Sequence, residues 1–213
     1  ANLLSGNYQK KCIKGSKFLS SLDQDWNSLV SSVGPCKLNL SIELEPYQAL
    51  IKSVIFQQLR PASATAIFNR FKQNFDNNFP SAEKILASPE SKLKESGLSF
   101  NKRKTIIEIA KQVQKGELEN RQDFLMMNDS QIIEKLTKIK GIGEWTAQML
   151  MIFNLGKLDV FPVSDFALRK NYSLFKSIAS PLTMRELSKI SEEWKPFRSI
   201  AAWYLWRYRN ILN

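Results

Sequence analysis

Apolar residues recur at helical spacing in two neighbouring segments near the start of the chain. In residues 47–58, Leu50, Ile51, Val54 and Ile55 fall on one helical face, and residues 62–75 repeat the pattern after Pro61. Such spacing is typical of helices that bury one face. Since proline is tolerated in the first turn of a helix but breaks its interior, we predict two consecutive helices with a turn before Pro61.

The same periodicity predicts helices along most of the remaining chain. We expect a helix from Asn101, short helices at 81–88 and 90–95, and a capping box at 183–186 that opens a helix presenting Leu187, Ile190 and Trp194. A last helix should start at Pro196 and run through Trp206. Strand is considered only for short segments such as 37–40, so the predicted fold class is all-α.

The order of the elements suggests one compact unit over 1–213 with two helical lobes. Residues of about 50–160 would form a central lobe. The N-terminal segment would fold back and join about 161–213 as the second lobe.

Two glycines stand between segments that otherwise have a helical pattern. Cap-type side chains at 128–130 precede Ile132, Leu136 and Ile139, so one helix should end near Lys140, and another should begin about Gly143. The connection 141–143 is so short that it requires positive φ or close backbone approach, which glycine permits. On one interpretation, the glycines serve only to end one helix and let two helices pack closely. Alternatively, the exposed amides, with the positive end of the second helix, bind a phosphate group. The residues of this predicted site are Lys138, Lys140, Gly141, Ile142 and Gly143.

Composition limits the classes of function. The 213 residues include 31 Lys and Arg against 20 Asp and Glu, a formal charge of +11 that favours a polyanionic partner. Cys12 and Cys36 are too few for a disulfide framework, and the chain has no histidine, which excludes a zinc site or a His-based triad. No apolar run approaches the roughly 20 residues that cross a bilayer. We expect an intracellular protein without a membrane partner.

The sequence LTKIKGIGEWTA at 136–147 resembles a helix-hairpin-helix motif, and Asp165 follows 22 positions after Gly143. Further blocks extend the resemblance over about 45–207: VIFQQL at 54–59, FP at 79–80, GLS at 97–99, LDVFP at 158–162, and WKPFRS at 194–199. Together they resemble the helix-hairpin-helix DNA glycosylases, specifically the alkylbase (3-methyladenine DNA glycosylase II) branch. The resemblance implies a two-lobed helical fold with a DNA-binding cleft.

The resemblance also implies a catalytic carboxylate at Asp165. Breaking an N-glycosidic bond develops positive charge on the deoxyribose, which a carboxylate in a water-poor pocket stabilises. An N-alkylated purine already carries positive charge, so no strong general acid is needed. On residue type alone, the commoner role for Asp165 is the N-cap of a helix, which is the alternative interpretation.

Base flipping would need a wedge and a pocket. The resemblance implies that Gln57, Gln58 and Leu59, called the wedge below, fill the gap left in the stack; their alternative is a polar helix end. It also implies a base pocket in which aromatic faces attract a cationic base. Its residues are Trp145, Met149, Phe166 and Phe197. The aromatic residues Trp203, Tyr204 and Trp206 are interpreted as core.

Trp145 occupies the position at which bifunctional relatives carry a Schiff-base lysine, so the resemblance implies no lyase activity. Two cysteines are too few for the four-cysteine set of the iron–sulfur endonuclease branch, so no such cluster is expected. The resemblance implies no cofactor apart from a structural Na⁺ or K⁺ on the backbone carbonyls of Thr137, Ile139 and Ile142.

Two hypotheses remain open. The first is a monomeric, monofunctional glycosylase acting on double-stranded DNA that contains alkylated bases, in the nucleus if the source is eukaryotic. The second is a non-catalytic or weakly catalytic protein that recognises abasic or distorted DNA. It is favoured by Ser164, where many alkylbase relatives carry a second Asp, by Glu144 in place of a frequent Arg or Lys beside the hairpin, and by the non-aromatic Met149. Lysines at 10, 11, 14 and 17 fit either DNA contact or a solvated surface.

Overall fold

The computed structural model describes residues 3–118 and 120–211, and within these ranges the chain contains helices and no strand. The all-α prediction is therefore confirmed. None of the helices in these ranges combines the length and apolar character needed to cross a bilayer. The α-helices are α1 (Leu3–Ser20), α2 (Gln24–Val33), α3 (Pro46–Phe56), α4 (Pro61–Gln73), α5 (Ala82–Ala87), α6 (Glu90–Glu95), α7 (Phe100–Gln114), α8 (Arg121–Met126), α9 (Asp129–Thr137), α10 (Glu144–Phe153), α11 (Phe166–Phe175), α12 (Met184–Ser191) and α13 (Arg198–Ile211), with a short 3-10 helix at Glu192–Trp194.

The chain divides into two compact units, Ser41–Leu150 and the described parts of Ala1–Leu40 with Met151–Asn213. In the central unit, 41–150, α3 packs against α4 and α7, and α7 also packs against α5 and α6. Fully buried Leu50 and Ile55 of α3 and Ile106 and Ile109 of α7 belong to its core. Each such side chain contributes about 1.5–3 kcal/mol by leaving water, so α3 is held as a rigid support for the wedge that follows it.

The second unit, built from 3–40 and 151–211, has an aromatic core. The Trp194 ring lies 5.4 Å from Trp26, 5.1 Å from Phe161 and 5.4 Å from Tyr172, in edge-on or tilted geometry. Helix α13 packs against α1, α2 and α11. Trp203 and Tyr204 of α13 are buried and Trp206 is half-buried, so the interpretation of the first two as core is confirmed.

Residues 37–40, which were considered as a strand, do not form one. Segment 36–40 is instead linked to α1 by side chains: the Cys36 amide donates to Ser16 Oγ at 2.9 Å, and Gln9 Nε2 donates to the Cys36 carbonyl at 2.8 Å. These two bonds anchor the segment at Cys36, and the buried side chain of Leu38 anchors it further along.

Several predicted helix ends also differ. Helix α3 ends at Phe56 and α9 at Thr137, each two or three residues before the predicted end. The helix opened by the capping box ends at Ser191, so Trp194 belongs to the 3-10 helix, and the last helix begins at Arg198 instead of Pro196.

Candidate functional site

Glycine is found at the two hairpin positions, Gly141 and Gly143, for different structural reasons. Gly141 has a φ of +98°, and a Cβ added there would overlap the side chain of Thr105 on α7. Gly143 has no atom within 4 Å of such a Cβ. Gly141 is therefore required by backbone conformation and by close packing, whereas Gly143 lies beside open space in which a ligand could approach the backbone.

The hairpin presents its backbone and two lysines to solvent. The Ile142 amide donates to the Ile139 carbonyl at 3.0 Å, and the Ala147 amide donates to the Gly143 carbonyl at 3.1 Å as α10 begins. Ile142 is buried, while Lys138, Lys140 and Gly143 are exposed. This tight turn at the positive end of α10 is suited to one phosphate.

Acidic side chains reduce the positive charge of the hairpin. Lys138 Nζ lies 3.2 Å from Glu134 Oε1, with both side chains 72% exposed, so the ion pair is screened and leaves Lys138 able to exchange partners. Glu144, in the first turn of α10, accepts a hydrogen bond from Gln148 Nε2 at 3.4 Å. Its charge weakens attraction for phosphate at this helix end.

The wedge lies where the sequence places it, between the last residue of α3 and Pro61. Gln57 Nε2 donates to Thr146 Oγ1 at 2.7 Å, which links the wedge to α10 within the central unit. Gln58 has a φ of +56°, a backbone conformation that residues other than glycine adopt at a cost of about 1–2 kcal/mol. Gln58 and Leu59 are exposed.

Part of the predicted base pocket and part of the wedge line one cavity of about 390 Å³ in the central unit. Its lining residues are Ser53, Phe56, Gln57, Gln58, Trp145 and Met149. Ser53 and Phe56 were not predicted from the sequence. Helical spacing could have indicated Ser53, because it precedes Gln57 by one helical turn and so lies on the same face of α3.

Asp165 in the second unit is the N-cap of α11. Its Oδ1 accepts a hydrogen bond from the Leu168 amide at 3.1 Å, and its own amide donates to the Pro162 carbonyl at 2.9 Å. The side chain is half-buried. The N-cap interpretation is thus confirmed, and this bond fixes the orientation of the carboxylate.

Two sequence blocks that are far apart in the chain meet a few residues before Asp165 in the sequence. Arg198 at the start of α13 binds Asp159 with two bonds, Nε to Oδ1 at 2.8 Å and Nη2 to Oδ2 at 3.1 Å. Ser199 Oγ accepts from the Val160 amide at 2.9 Å and donates to the Lys157 carbonyl at 2.7 Å. The LDVFP and WKPFRS blocks therefore form one brace that places the turn leading to Asp165.

Phe166 and Phe197, the other predicted pocket residues, also lie in the second unit. Phe166 is 57% exposed, and the Arg169 guanidinium lies 5.4 Å from its ring centre. Phe197 is buried, with its ring 5.5 Å from Phe18. Neither belongs to the lining of the 390 Å³ cavity.

The proposed cation ligands are backbone carbonyls at the hairpin turn. The Ile139 carbonyl already accepts the Ile142 amide, but a carbonyl oxygen has a second lone pair for a cation. Hard cations of this kind prefer oxygen ligands. Among the described residues, no group of three or more His, Cys, Asp or Glu could hold a metal ion.

Comparison with known proteins agrees with this geometry. The HhH-GPD superfamily of base excision DNA repair proteins matches residues 51–196. The chain is 39% identical to the DNA-3-methyladenine glycosylase 1 of Schizosaccharomyces pombe over 92% of this chain and 86% of the relative. It is 36% identical to the alkylbase DNA glycosidase-like protein mag2 of the same yeast, over 91% and 92% of the two chains.

Among solved structures, the S. pombe 3-methyladenine DNA glycosylase Mag1 in complex with abasic DNA superposes with a TM-score of 0.84. The sequences are 38% identical, and the match covers 91% of this chain and 95% of the other. This chain therefore belongs to the HhH-GPD superfamily of base excision DNA repair proteins, in its alkylbase glycosylase branch.

Proposed function

We propose that the protein is a monofunctional DNA glycosylase that flips an alkylated purine out of duplex DNA and hydrolyses its N-glycosidic bond, leaving an abasic site. The observation that carries this proposal is the placement of Asp165, braced by the LDVFP and WKPFRS blocks, in a chain that is 39% identical to a DNA-3-methyladenine glycosylase.

Asp165 would act on the sugar. As the base departs, the deoxyribose develops positive charge, and a carboxylate held in fixed orientation stabilises that charge without reorganising. The Leu168 amide holds Oδ1 in this orientation. The carboxylate also orients the water that attacks the anomeric carbon.

The base pocket suits a leaving group that needs no protonation. The cavity at the wedge combines two aromatic rings, Phe56 and Trp145, with the Met149 thioether, and ring faces attract a cationic base by about 0.5–2 kcal/mol. None of its six lining residues is an acid or a base. A purine alkylated at a ring nitrogen carries its own positive charge, so such lesions are the substrates this pocket favours.

Contacts with DNA would be independent of sequence. The amides at the hairpin and the lysines 138 and 140 bind a backbone phosphate, and a Na⁺ or K⁺ on the carbonyls of Thr137, Ile139 and Ile142 supplies further positive charge. The wedge fills the gap that the flipped nucleotide leaves. The protein would work as a monomer on double-stranded DNA, in the nucleus if its source is eukaryotic.

Lyase activity would be absent. An amine nucleophile is needed for Schiff-base chemistry, and Trp145 stands where bifunctional relatives carry the lysine. The product is then an intact strand with an abasic site.

A second candidate is a binder of abasic or distorted DNA that does not excise. It is supported by Glu144 beside the hairpin, Ser164 beside Asp165, and 36% identity to a protein that is called glycosidase-like. It would use the same hairpin and wedge.

Release of methylated bases from an alkylated duplex, measured beside binding to an abasic-site duplex, separates the two candidates. We expect the parent to release base and Asp165→Asn to be slower by roughly 10²–10³-fold. Asparagine is an equally good N-cap, so the fold and abasic-site affinity should be retained. Asp23→Asn, which alters the N-cap of α2, is the matched control and should release base at the parent rate. A parent that binds abasic DNA tightly but releases no base above background would leave only the second candidate.

A further inference from the structure

Lys102 lies in the first turn of α7 and reaches the end of α3. Its half-buried ammonium donates to the Ile55 carbonyl at 2.8 Å and to the Gln57 carbonyl at 2.7 Å. These carbonyls belong to the last turn of α3 and to the first residue of the wedge. One side chain thus joins the helix end to the wedge backbone.

The physical chemistry of the two helices explains what this lysine stabilises. A helix leaves its last carbonyls without intrahelical partners and carries partial negative charge at that end, so a cation is favoured at the end of α3. The same cation is disfavoured at the start of its own helix, where α7 has no acidic residue in the first turn. The position of Lys102 is therefore explained by α3 and the wedge, and not by α7.

Burial supports a close and partly dry contact. Removal from water lowers the pKa of Lys102. In such surroundings hydrogen bonds from a charged donor are short and roughly twice as strong as neutral ones.

The wedge needs such support because its backbone is not in a relaxed conformation. Gln58 has a φ of +56°, and such conformations persist only where surrounding contacts enforce them. Gln57 is held at its side chain by Thr146 and at its carbonyl by Lys102. These two anchors define the direction in which Gln58 and Leu59 leave α3.

We propose that Lys102 is a positioning residue that holds the wedge in the geometry required to recognise a gap in the base stack. The inference rests on the proposed function in assuming that residues 57–59 enter DNA. It does not require that the protein hydrolyse the glycosidic bond.

The test is the ratio of affinities for an abasic-site duplex and an undamaged duplex of the same sequence, measured by fluorescence anisotropy at one salt concentration. Lys102→Met keeps the aliphatic stem and removes the donors, and Lys102→Arg keeps a charged donor. Lys104→Met removes the same charge from the same helix turn, where the exposed Lys104 lies 4.3 Å from the Phe100 ring centre. Because both affinities come from one sample, their ratio does not depend on the folded fraction.

We expect Lys102→Met to lower this ratio by on the order of 10-fold, Lys102→Arg to retain it within about 3-fold, and Lys104→Met to leave it unchanged. If Lys102→Met does not fold, Lys102→Gln replaces it. The glutamine side chain is one bond shorter than that of lysine, so its amide should not reach both carbonyls, and the expected result is the same. A ratio within about 2-fold of the parent in a folded Lys102→Met or Lys102→Gln protein would overturn the inference, as would an equal fall in Lys104→Met.

Base release by the parent distinguishes this inference from the proposed function. If the parent releases no methylated base but Lys102→Met still loses discrimination, the hydrolytic function fails and the positioning role stands. If the parent releases base and discrimination is unaffected by Lys102→Met, the opposite holds.

Discussion

Replacing Gly141 by alanine tests why glycine stands in the hairpin. The residue has a φ of +98°, and the new Cβ would overlap the Thr105 side chain. A positive φ of this kind costs an L-residue about 1–2 kcal/mol, and forcing extra volume into a packed contact costs about 1–3 kcal/mol. We therefore expect Gly141→Ala to lower the free energy of unfolding by about 2–5 kcal/mol.

Thermal unfolding followed by circular dichroism measures this effect. For a chain of this size each kcal/mol corresponds to about 2–4 °C, so the midpoint should fall by roughly 4–20 °C. Gly143→Ala is the matched control, because its Cβ meets open space and its φ is not positive. Gly143 precedes α10 at the N-cap position, where alanine is less favourable than glycine, so this variant should lose no more than about 1 kcal/mol.

The double variant Gly141→Ala, Thr105→Ala divides the cost into its two parts. Shortening Thr105 removes the Oγ1 and Cγ2 atoms that the new Cβ meets, but it leaves the Thr105 Cβ at 2.9 Å and the backbone strain. Only part of the lost stability should therefore return. If Gly141→Ala and Gly143→Ala were equally stable, the explanation by φ and close packing would be refuted.

Two further predictions concern a charged cluster and the strained wedge. Lys176 Nζ lies 2.7 Å from carboxylate oxygens of both Asp23 and Asp25. Burial lowers the pKa of Lys176, but the hydrogen bonds to the two aspartates outweigh burial, so the pKa of Lys176 is raised above its usual value. Burial raises the pKa of Asp23, but the hydrogen bond from Lys176 and those from backbone amides outweigh burial, so the pKa of Asp23 is lowered. The ion pairs should therefore stabilise the fold between about pH 4 and pH 10.5. Their contribution should be lost as the pH falls from about 4 through the depressed pKa of Asp23, and as it rises from about 10.5 through the raised pKa of Lys176. In chemical denaturation, Lys176→Met should be less stable than the parent by about 1 kcal/mol at pH 7 and as stable as the parent at pH 2; an equal difference at both pH values would contradict this. Gln58→Gly should leave the free energy of unfolding unchanged within about 1 kcal/mol, because relief of backbone strain offsets the added freedom of the unfolded chain. In binding assays the same variant should show a weaker preference for abasic over undamaged duplex. An unchanged preference would mean that Gln58 is not part of the wedge.

Most helices could be predicted because their buried faces are made of large apolar residues. Helix α1 was not, although it has 18 residues. Its buried positions Cys12, Gly15, Ser16 and Leu19 follow helical spacing but are mostly small, so they do not register as a hydrophobic stripe. Gly15 shows why they are small: a Cβ there would overlap the side chains of Ile200 on α13 and of Phe197 just before that helix.

The end of α3 could not be predicted for a different reason. Leu59 keeps the apolar spacing one turn beyond Ile55, whereas the features found at the helix end are the Lys102 ammonium and the positive φ of Gln58. Lys102 is separated from its two acceptor residues by 47 and 45 positions in the sequence, so no local sequence pattern predicts these contacts. The grouping of Ser53 with Trp145 in one cavity depends on the same long-range packing.

Asp165 shows how two interpretations that compete in the sequence become compatible in the structure. From residue type, a helix N-cap and a catalytic carboxylate are alternatives, and the N-cap is the commoner. In the structure, capping uses Oδ1 and the Leu168 amide, and this bond is what a catalytic carboxylate needs in order to be held in one orientation. Since asparagine preserves the cap and removes the charge, Asp165→Asn separates the two contributions: retained stability with lost base release would show that the cap positions the carboxylate and that the charge performs the chemistry.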